Sequence, residues 1–410
     1  MNRSEQNLNK TKLKKLKILF LTPRFPYPLI GGDRIKPFNI LTHLAKHHEV
    51  TLVTFYQGGK EPPKEHLEKV KELGINIHVI PLNPFISGLK TALRICKYPL
   101  EISYYTQPKY SKVVNKLLTE QKFDLGIAFF MRTAEYIKDA PLKRFLMAED
   151  CRTLYQKRSY QNSKNLKHKL VRYWEVSRLK KYEPKIVDKF DVTTLVTDED
   201  IQEMTKQNPN AKYRFLTNGT DLNHFYPPED SFKREGILFT GKLDLWANIL
   251  MIQDIEKNIF PKVREAVTDC KFNIVGAKPP NIVRALQSDI INVFPNVPSL
   301  LPYYQQAKVF LHPHTAGTGI QNKLLEAMAC GCPVVTTPIG IQGIPATHGE
   351  DVLIGSTTDE LIKHTIELFN NPELYNKISK NCRSLIERTH SWEIVFESLD
   401  NILIELFETR

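Results

Sequence analysis

A chain of 410 residues, 41% hydrophobic and 25% charged, is longer than one core normally serves and too apolar for a disordered chain, so a globular protein of two domains is expected. The formal net charge of +12 suits an anionic partner, whether nucleotide, nucleic acid or membrane surface, without choosing among them. Six scattered cysteines exclude a disulfide framework, and Cys330-Gly-Cys332 lacks the spacer and second pair of a zinc site, so inert thiols in a reducing compartment are the reading.

Residues 1–16 read as a basic arm. The apolar run Ile18–Leu21 behind it is cut by Pro23 and is too short for a signal peptide, so it is a first strand, and no later stretch has the apolar length to span a bilayer. Gly31-Gly32 follows, with Asp33 as the expected cap of a helix from about Arg34 to Lys46; the third glycine of a dinucleotide fingerprint is missing. The runs "EVTLVTF", "INIHVIP", "DLGIAFF", "KRFLMAE" and "VTTLVT" continue as buried strands separated by helices, the pattern of a parallel sheet covered on both faces.

Glu149-Asp150 closes one of these strands, either as carboxylates facing a cleft or as the N-cap of "CRTLYQ". Between Lys157 and Lys185 bases interleave with Tyr160, Tyr173, Trp174 and Tyr182; the segment is expected to pack its apolar stripe inside the domain, with an anionic membrane as the alternative. Thr197-Asp-Glu-Asp200 contains the Asp-x-Asp that can hold a metal, yet it is also a capping box directly after a strand, and the cap is preferred. No nucleic-acid reading module is recognisable.

Asn218-Gly219 and Pro227-Pro228 break the rhythm, placing a linker at 218–234 between domains of 1–217 and 235–390, with a last helix over 391–410 capped by Ser391. "GILFTGK" has Walker A spacing at Gly236, Gly241 and Lys242, but Leu243 stands where the magnesium-binding Ser or Thr belongs, so Lys242 is read as a cleft lysine just past a strand end. "KVFLHPHTAGTGIQNKLLEAMA" is a strand, a glycine turn and a helix. Unpaired amides from Gly319 through Ile320, Gln321, Asn322, Lys323 and Leu324, with the positive end of a helix dipole behind them, would cradle a phosphate. Lys323 adds charge, and Glu326, one turn on, can accept from the vicinal hydroxyls of a ribose; the alternative is a tight turn with a surface Lys–Glu pair.

"GTGIQNKLLEAMACGCPVVTTPIGIQG", with "FPYPLIGGDRIKPFNILTHLAKHHEVTLVTF" and "FTGKLDLWANILMI", resembles the GT-B glycosyltransferases of family 4, closest to a sugar-transferase subgroup with Gly-Asp-Arg/Lys-Ile-Arg/Lys in its first loop. The resemblance runs from about Lys17 to the C-terminus and is most specific over 317–343. It implies an α/β fold of two facing Rossmann-like domains with a cleft between them and a C-terminal helix crossing back. It also implies retaining, metal-independent transfer of a sugar from a nucleotide-sugar, UDP- or GDP-linked, to a glycan or lipid-linked acceptor. No cofactor is expected, nor any nucleic acid. Cytoplasmic placement is implied, with peripheral contact at the inner membrane face as a further expectation.

By the resemblance Gly31, Gly32 and Arg34 face the sugar-phosphate, with Lys36 nearby. Lys242 matches the first of two basic residues on the diphosphate, and the second falls near the uncharged Asn248. Asp150 stands where the subgroup has an Asp for a sugar hydroxyl, and with Lys242 and Glu326 forms the expected catalytic set. The first Glu of the family's spaced pair falls at Thr318, so its role is not carried over. A GT-B nucleotide-sugar epimerase, or a binding protein that has lost its chemistry, stays open as an alternative.

Overall fold

The computed structural model describes residues 13–94, 98–163, 165–229, 232–315 and 317–408; residues 1–12 of the expected basic arm, and Cys96, lie outside the described residues. The first sheet is made by β1 (Lys17–Thr22), β2 (Glu49–Tyr56), β3 (Asn76–Pro81), β4 (Leu125–Phe129), β5 (Lys143–Glu149), β6 (Val192–Leu195) and β7 (Tyr213–Phe215). The second is made by β8 (Glu235–Lys242), β9 (Phe272–Ala277), β10 (Ile291–Pro295), β11 (Ala307–His312), β12 (Val334–Thr336) and β13 (Leu353–Ile354). Their orders are β3-β2-β1-β4-β5-β6-β7 and β10-β9-β8-β11-β12-β13, and every pairing is parallel. All these strands except β7 follow the apolar runs of the sequence. β7 is a three-residue edge strand with a half-exposed, charge-interrupted sequence, so it has no such run.

In each sheet the chain starts in the middle, winds outward, then returns to the other side of the first strand, so order reverses between β1 and β4 and between β8 and β11. Ligands of open α/β sheets bind at such reversals, outside the carboxyl ends of the strands. The loops after β1, β8 and β11 are the three glycine-bearing loops singled out above.

The last helix, Trp392–Glu408, leaves the second half. It lays Trp392, Val395, Leu399, Leu403 and Leu406 into the core formed by Ile18, Phe20, Ile40 and Leu44 on one face of the first sheet. Ser391 Oγ accepts from Ile394 N, as expected of a cap. Gly219 passes so close to this helix that a Cβ there would lie 2.5 Å from Trp392.

Three local expectations change. Gly31 (φ 91°) caps a helix that starts at Gly32 and makes no side-chain cap bond, while Asp33 is held instead by Arg24 at 2.6 Å. Lys36 is buried, with Nζ 2.8 Å from Glu149 and 2.9 Å from the Leu216 carbonyl, so it pins a strand end rather than facing a donor. The Leu166–Val187 helix buries Leu179, Ile186 and Val187 but leaves Leu166, Leu170, Val171 and Tyr173 exposed, so its stripe packs along its second half alone.

Candidate active site

The loop after β11 holds Gly317 at φ 136° and Gly319 at φ 73°, conformations that disfavour any side chain. A Cβ on Gly317 would also sit 2.7 Å from His314 Nε2. The helix that follows, Asn322–Ala329, has Gln321 as N-cap with no side-chain cap bond and no acid in its first turn. Among the described residues no protein acceptor takes the amides of Gly319, Ile320, Gln321, Asn322 or Lys323. An uncapped helix start behind a glycine turn is an anion site in waiting. Leu324 leaves the predicted set: its side chain is in the core and its amide donates to the Gln321 carbonyl at 2.8 Å.

Lys323 donates from Nζ to Asn248 Oδ1 at 2.9 Å and lies 5.1 Å from the centre of the Phe239 ring. Asn248 in turn donates from Nδ2 to the Lys242 carbonyl at 2.8 Å. So the uncharged residue at 248 orients the ammonium of Lys323, bringing it beside the loop that ends β8. Gly241 makes this possible, since a Cβ there would meet Asn248 Nδ2 at 2.9 Å and Lys323 Nζ at 3.3 Å. Lys242 itself is exposed, with Asp244 at 3.8 Å.

Glu326 accepts at Oε2 from Tyr304 Oη at 2.8 Å, and Tyr304 shares a 2.7 Å hydrogen bond with Thr240. Desolvation raises the Glu326 carboxyl to about 7, against the opposing pull of Tyr304 and Lys323. Desolvation also lowers the Lys323 ammonium to about 8, against the pull of Glu326. Two ionisable groups are thus held side by side at a cost to each, the arrangement that clusters at functional sites. His312 and His314 stack at 5.1 Å beside them; both are buried, and desolvation with the nearby Lys323 charge keeps His314 down at about 4. Both ring nitrogens of His314 lack a protein partner among the described residues.

The first half supplies the facing wall. A Cβ on Gly32 would stand 3.1 Å from Asn322 Nδ2, and Asn218 Nδ2 donates to Asn322 Oδ1 at 2.8 Å. Arg158 Nη1 donates to the Gly317 carbonyl at 2.8 Å and to Gln342 Oε1 at 2.7 Å. Arg34 is half-buried in the first turn of its helix, next to this contact in sequence.

Asp150 accepts at Oδ2 from Arg152 at 2.9 Å and from Thr318 Oγ1 at 3.0 Å, while its Oδ1 is buried without a partner among the described residues. It is not the cap of the Arg152–Asn162 helix: the amides of Arg152 and Thr153 donate to Glu183, which desolvation raises to about 7. The Asp-x-Asp reading ends the same way. Thr197 Oγ1 accepts from Asp200 N, and Asp200 accepts from Thr197 Oγ1 and Cys151 N.

The site therefore brings together Gly32, Asp150, Asn248, the 319–323 amides, Lys323 and Glu326, with the Lys242 carbonyl on Asn248 and its ammonium exposed beside Asp244, while a Cβ on Gly31 would meet only Asp33. Sequence reasoning missed Tyr304, Arg158, Asn218 and His314. His314 could have been noticed, as a histidine just ahead of a glycine turn; Tyr304 sits in a helix whose pattern says only that it is buried. Surface grooves of about 390 Å³ beside Lys143 and Glu405 and about 550 Å³ beside Arg94 and Ser111 are lined by none of these groups.

A fold of two facing parallel α/β sheets, with this cleft, is the GT-B architecture, and glycosyltransferases of that architecture are what the chain resembles. Residues 234–371 match the family model described as Glycosyl transferases group 1. Over 408 residues, 93% of this chain and 98% of the relative, it is 23% identical to an uncharacterized 44.6 kDa protein in the cps region of Klebsiella pneumoniae. It is 29% identical to a GDP-mannose-dependent monoacylated alpha-(1-6)-phosphatidylinositol monomannoside mannosyltransferase of Corynebacterium glutamicum, over 53% of this chain and 63% of that one. Among solved structures, sucrose-phosphate synthase from Thermosynechococcus elongatus has a TM-score of 0.70 at 16% identity, covering 97% of this chain and 100% of that one. HepE of Anabaena, solved with UDP and glucose, has a TM-score of 0.65 at 14% identity, covering 95% and 99%. The fold is that of these enzymes, and the matched domain with the named relatives supports a glycosyltransferase.

Proposed function

We propose that the protein moves a sugar from a nucleotide-sugar, UDP- or GDP-linked, to a hydroxyl of a glycan or lipid-linked acceptor, with retention and without a metal. The observation that carries the reading is the uncapped start of the Asn322–Ala329 helix, flanked by Lys323 on Asn248 and by Glu326 on Tyr304. Free amides, one desolvated ammonium and one carboxylate with an unclaimed Oε1 match a diphosphate joined to a ribose. UDP with glucose, and GDP-mannose, are the ligands named for two of the similar proteins.

In the proposed reaction the acceptor oxygen bonds to the anomeric carbon as the bond from that carbon to the phosphate oxygen breaks, and the departing phosphate takes the acceptor's proton. Negative charge grows on the diphosphate, where Lys323, Lys242 and the helix amides stabilise it most in the transition state, so the protein supplies the counter-charge that a divalent ion would otherwise bring. Asp150, fixed at Oδ2 by Arg152 and Thr318, directs Oδ1 to a sugar hydroxyl. Contacts of Arg158 and Asp150 with the 317–319 loop hold the two walls together, excluding water and favouring transfer over hydrolysis. The cytoplasm, where such donors are made, is the proposed compartment, and the five described cysteines, all buried free thiols, fit it.

Calorimetric titration with UDP and GDP tests the site, and release of nucleoside diphosphate from the sugar donor tests the chemistry. Glu326→Ala and Lys323→Met are expected to weaken nucleotide binding about ten-fold or more. Equal affinity in both variants would remove the site. Diphosphate release that does not depend on added acceptor would favour epimerisation or hydrolysis, and binding without turnover would favour a sensor.

A further inference from the structure

The Pro84–Leu93 helix is turned inside out. Ser87 is its one buried residue, and its polar side packs inward: Ser87 and Lys90 both meet the Gln107 side chain, and Arg94 reaches the Thr106 carbonyl. Phe85, Ile86, Leu89 and Leu93 face solvent with 82%, 48%, 59% and 80% of their surface exposed. The helix is firmly started, with Pro84 in its first turn and Asn83 Oδ1 accepting from the amides of Phe85 and Ile86. A helix normally turns such residues to the core, and a contiguous exposed apolar face marks an interaction surface.

A second apolar tip opens another helix of the first half. The Leu166–Val187 helix begins with Leu166, Leu170 and Tyr173 exposed at 78%, 68% and 64%. The chain after the first helix runs along it, with Leu100 N donating to Glu175 at 2.8 Å and the Tyr98 ring 6.5 Å from that of Tyr182.

Charge selects the occupant. Residues 84–118 hold six Lys or Arg and one acid, and residues 152–172 hold seven and none. The one acid, Glu101, is already paired with Arg132 and Arg152. An apolar face in a segment with six cations and a single, already paired acid fits the interface of an anionic bilayer, where side chains insert and lysines meet headgroups.

We infer that the exposed apolar face of the Pro84–Leu93 helix is a docking surface for an anionic lipid membrane. No helix among the described residues is long and apolar enough to cross one, so the contact is peripheral. The Pro84–Leu93 helix follows the carboxyl end of β3, which is the side of the cleft. The surface stands on exposure and charge; its use, presenting a lipid-borne acceptor to the cleft, rests on the transfer reading.

Co-sedimentation of the full chain with vesicles tests it, comparing pure phosphatidylcholine with phosphatidylcholine containing roughly one-third phosphatidylglycerol. The chain should pellet with the anionic vesicles, less so as salt rises, and stay in solution with the neutral ones. Phe85→Ser with Leu89→Ser should weaken that partition by about ten-fold or more, each apolar chain lost removing buried contact with lipid. The melting temperature and nucleotide affinity of this variant should be unchanged, so loss of membrane binding is separable from loss of the donor site. Failure to pellet with anionic vesicles, or a variant that pellets as well as the parent, would overturn the inference. So would self-association or capture by a protein that the same two substitutions abolish while vesicle binding persists.

Discussion

If Lys323 must be charged and Glu326 ionised to hold a nucleoside diphosphate, affinity should peak in a narrow pH window. Lys323 sits at about 8 and Glu326 at about 7. At pH 7.5 about three-quarters of the molecules have each group in the required form. At pH 9.0 the charged fraction of Lys323 falls to about one-tenth, and at pH 6.0 the ionised fraction of Glu326 does the same. Affinity should therefore drop about six-fold on either side of pH 7.5, or about 1.1 kcal/mol. Calorimetry with UDP or GDP at the three pH values measures it directly. Lys323→Met should flatten the alkaline limb and Glu326→Gln the acid limb. A bell of unchanged shape in the two variants would refute the assignment, because the titration would then belong to other groups or to the nucleotide.

The same shifts fix the sign of the effect on stability. Lys323 lies below its ordinary 10.5, so from about pH 8 to 10.5 the unfolded chain binds more protons at this group and stability rises with pH. Glu326 lies above its ordinary 4.5, so from 4.5 to about 7 the folded chain binds more and stability falls as pH rises. At neutral pH both charges burden the fold. Glu326→Gln should therefore abolish the fall in stability between pH 4.5 and about 7 in thermal melts, while weakening nucleotide binding.

Gly276→Ala would put a Cβ 1.8 Å from the Gly241 carbonyl, and is expected to cost about 3 kcal/mol or more in a thermal melt, with the Gly241–Asn248–Lys323 contact disturbed. Lys36→Met should leave Glu149 buried and unpaired, costing about 3–5 kcal/mol in denaturant unfolding, with nucleotide affinity per folded molecule unchanged. Asp150→Ala should lower the turnover number about 100-fold and leave the nucleotide dissociation constant within about two-fold, as steady-state kinetics and calorimetry would show.

The fold was legible where burial is total. Each run such as Ile18–Leu21 or Phe272–Val275 is apolar throughout because helices cover both faces of its sheet, and the alternation of runs then dictates parallel order. β7 escaped because an edge strand needs no such run. The glycine turn and the uncapped helix start of the proposed cradle were legible because both are local in sequence. Contacts between residues far apart in the chain were not: nothing near Tyr304 marks it as the partner of Glu326, and nothing near Asp150 points to Thr318 across the cleft. Lys36, placed near the donor only by the resemblance, is buried against Glu149, two strands away, a contact that no local sequence signal carries. Asn248 looked like a lost charge until the ammonium of Lys323 was found resting on its side chain.

The docking of Trp392–Glu408 onto the first sheet bears on synthesis as well as shape. A ribosome delivers Leu16 to Phe215 long before it delivers Trp392, so an apolar face of the early half stays uncovered while almost two hundred further residues are made. The first half then completes this face of its core only when the seventeen residues of that helix emerge, so its last step waits on synthesis of the second half. A chain stopped a little short of its end would lose a wall of the opposite domain, not a dispensable tail.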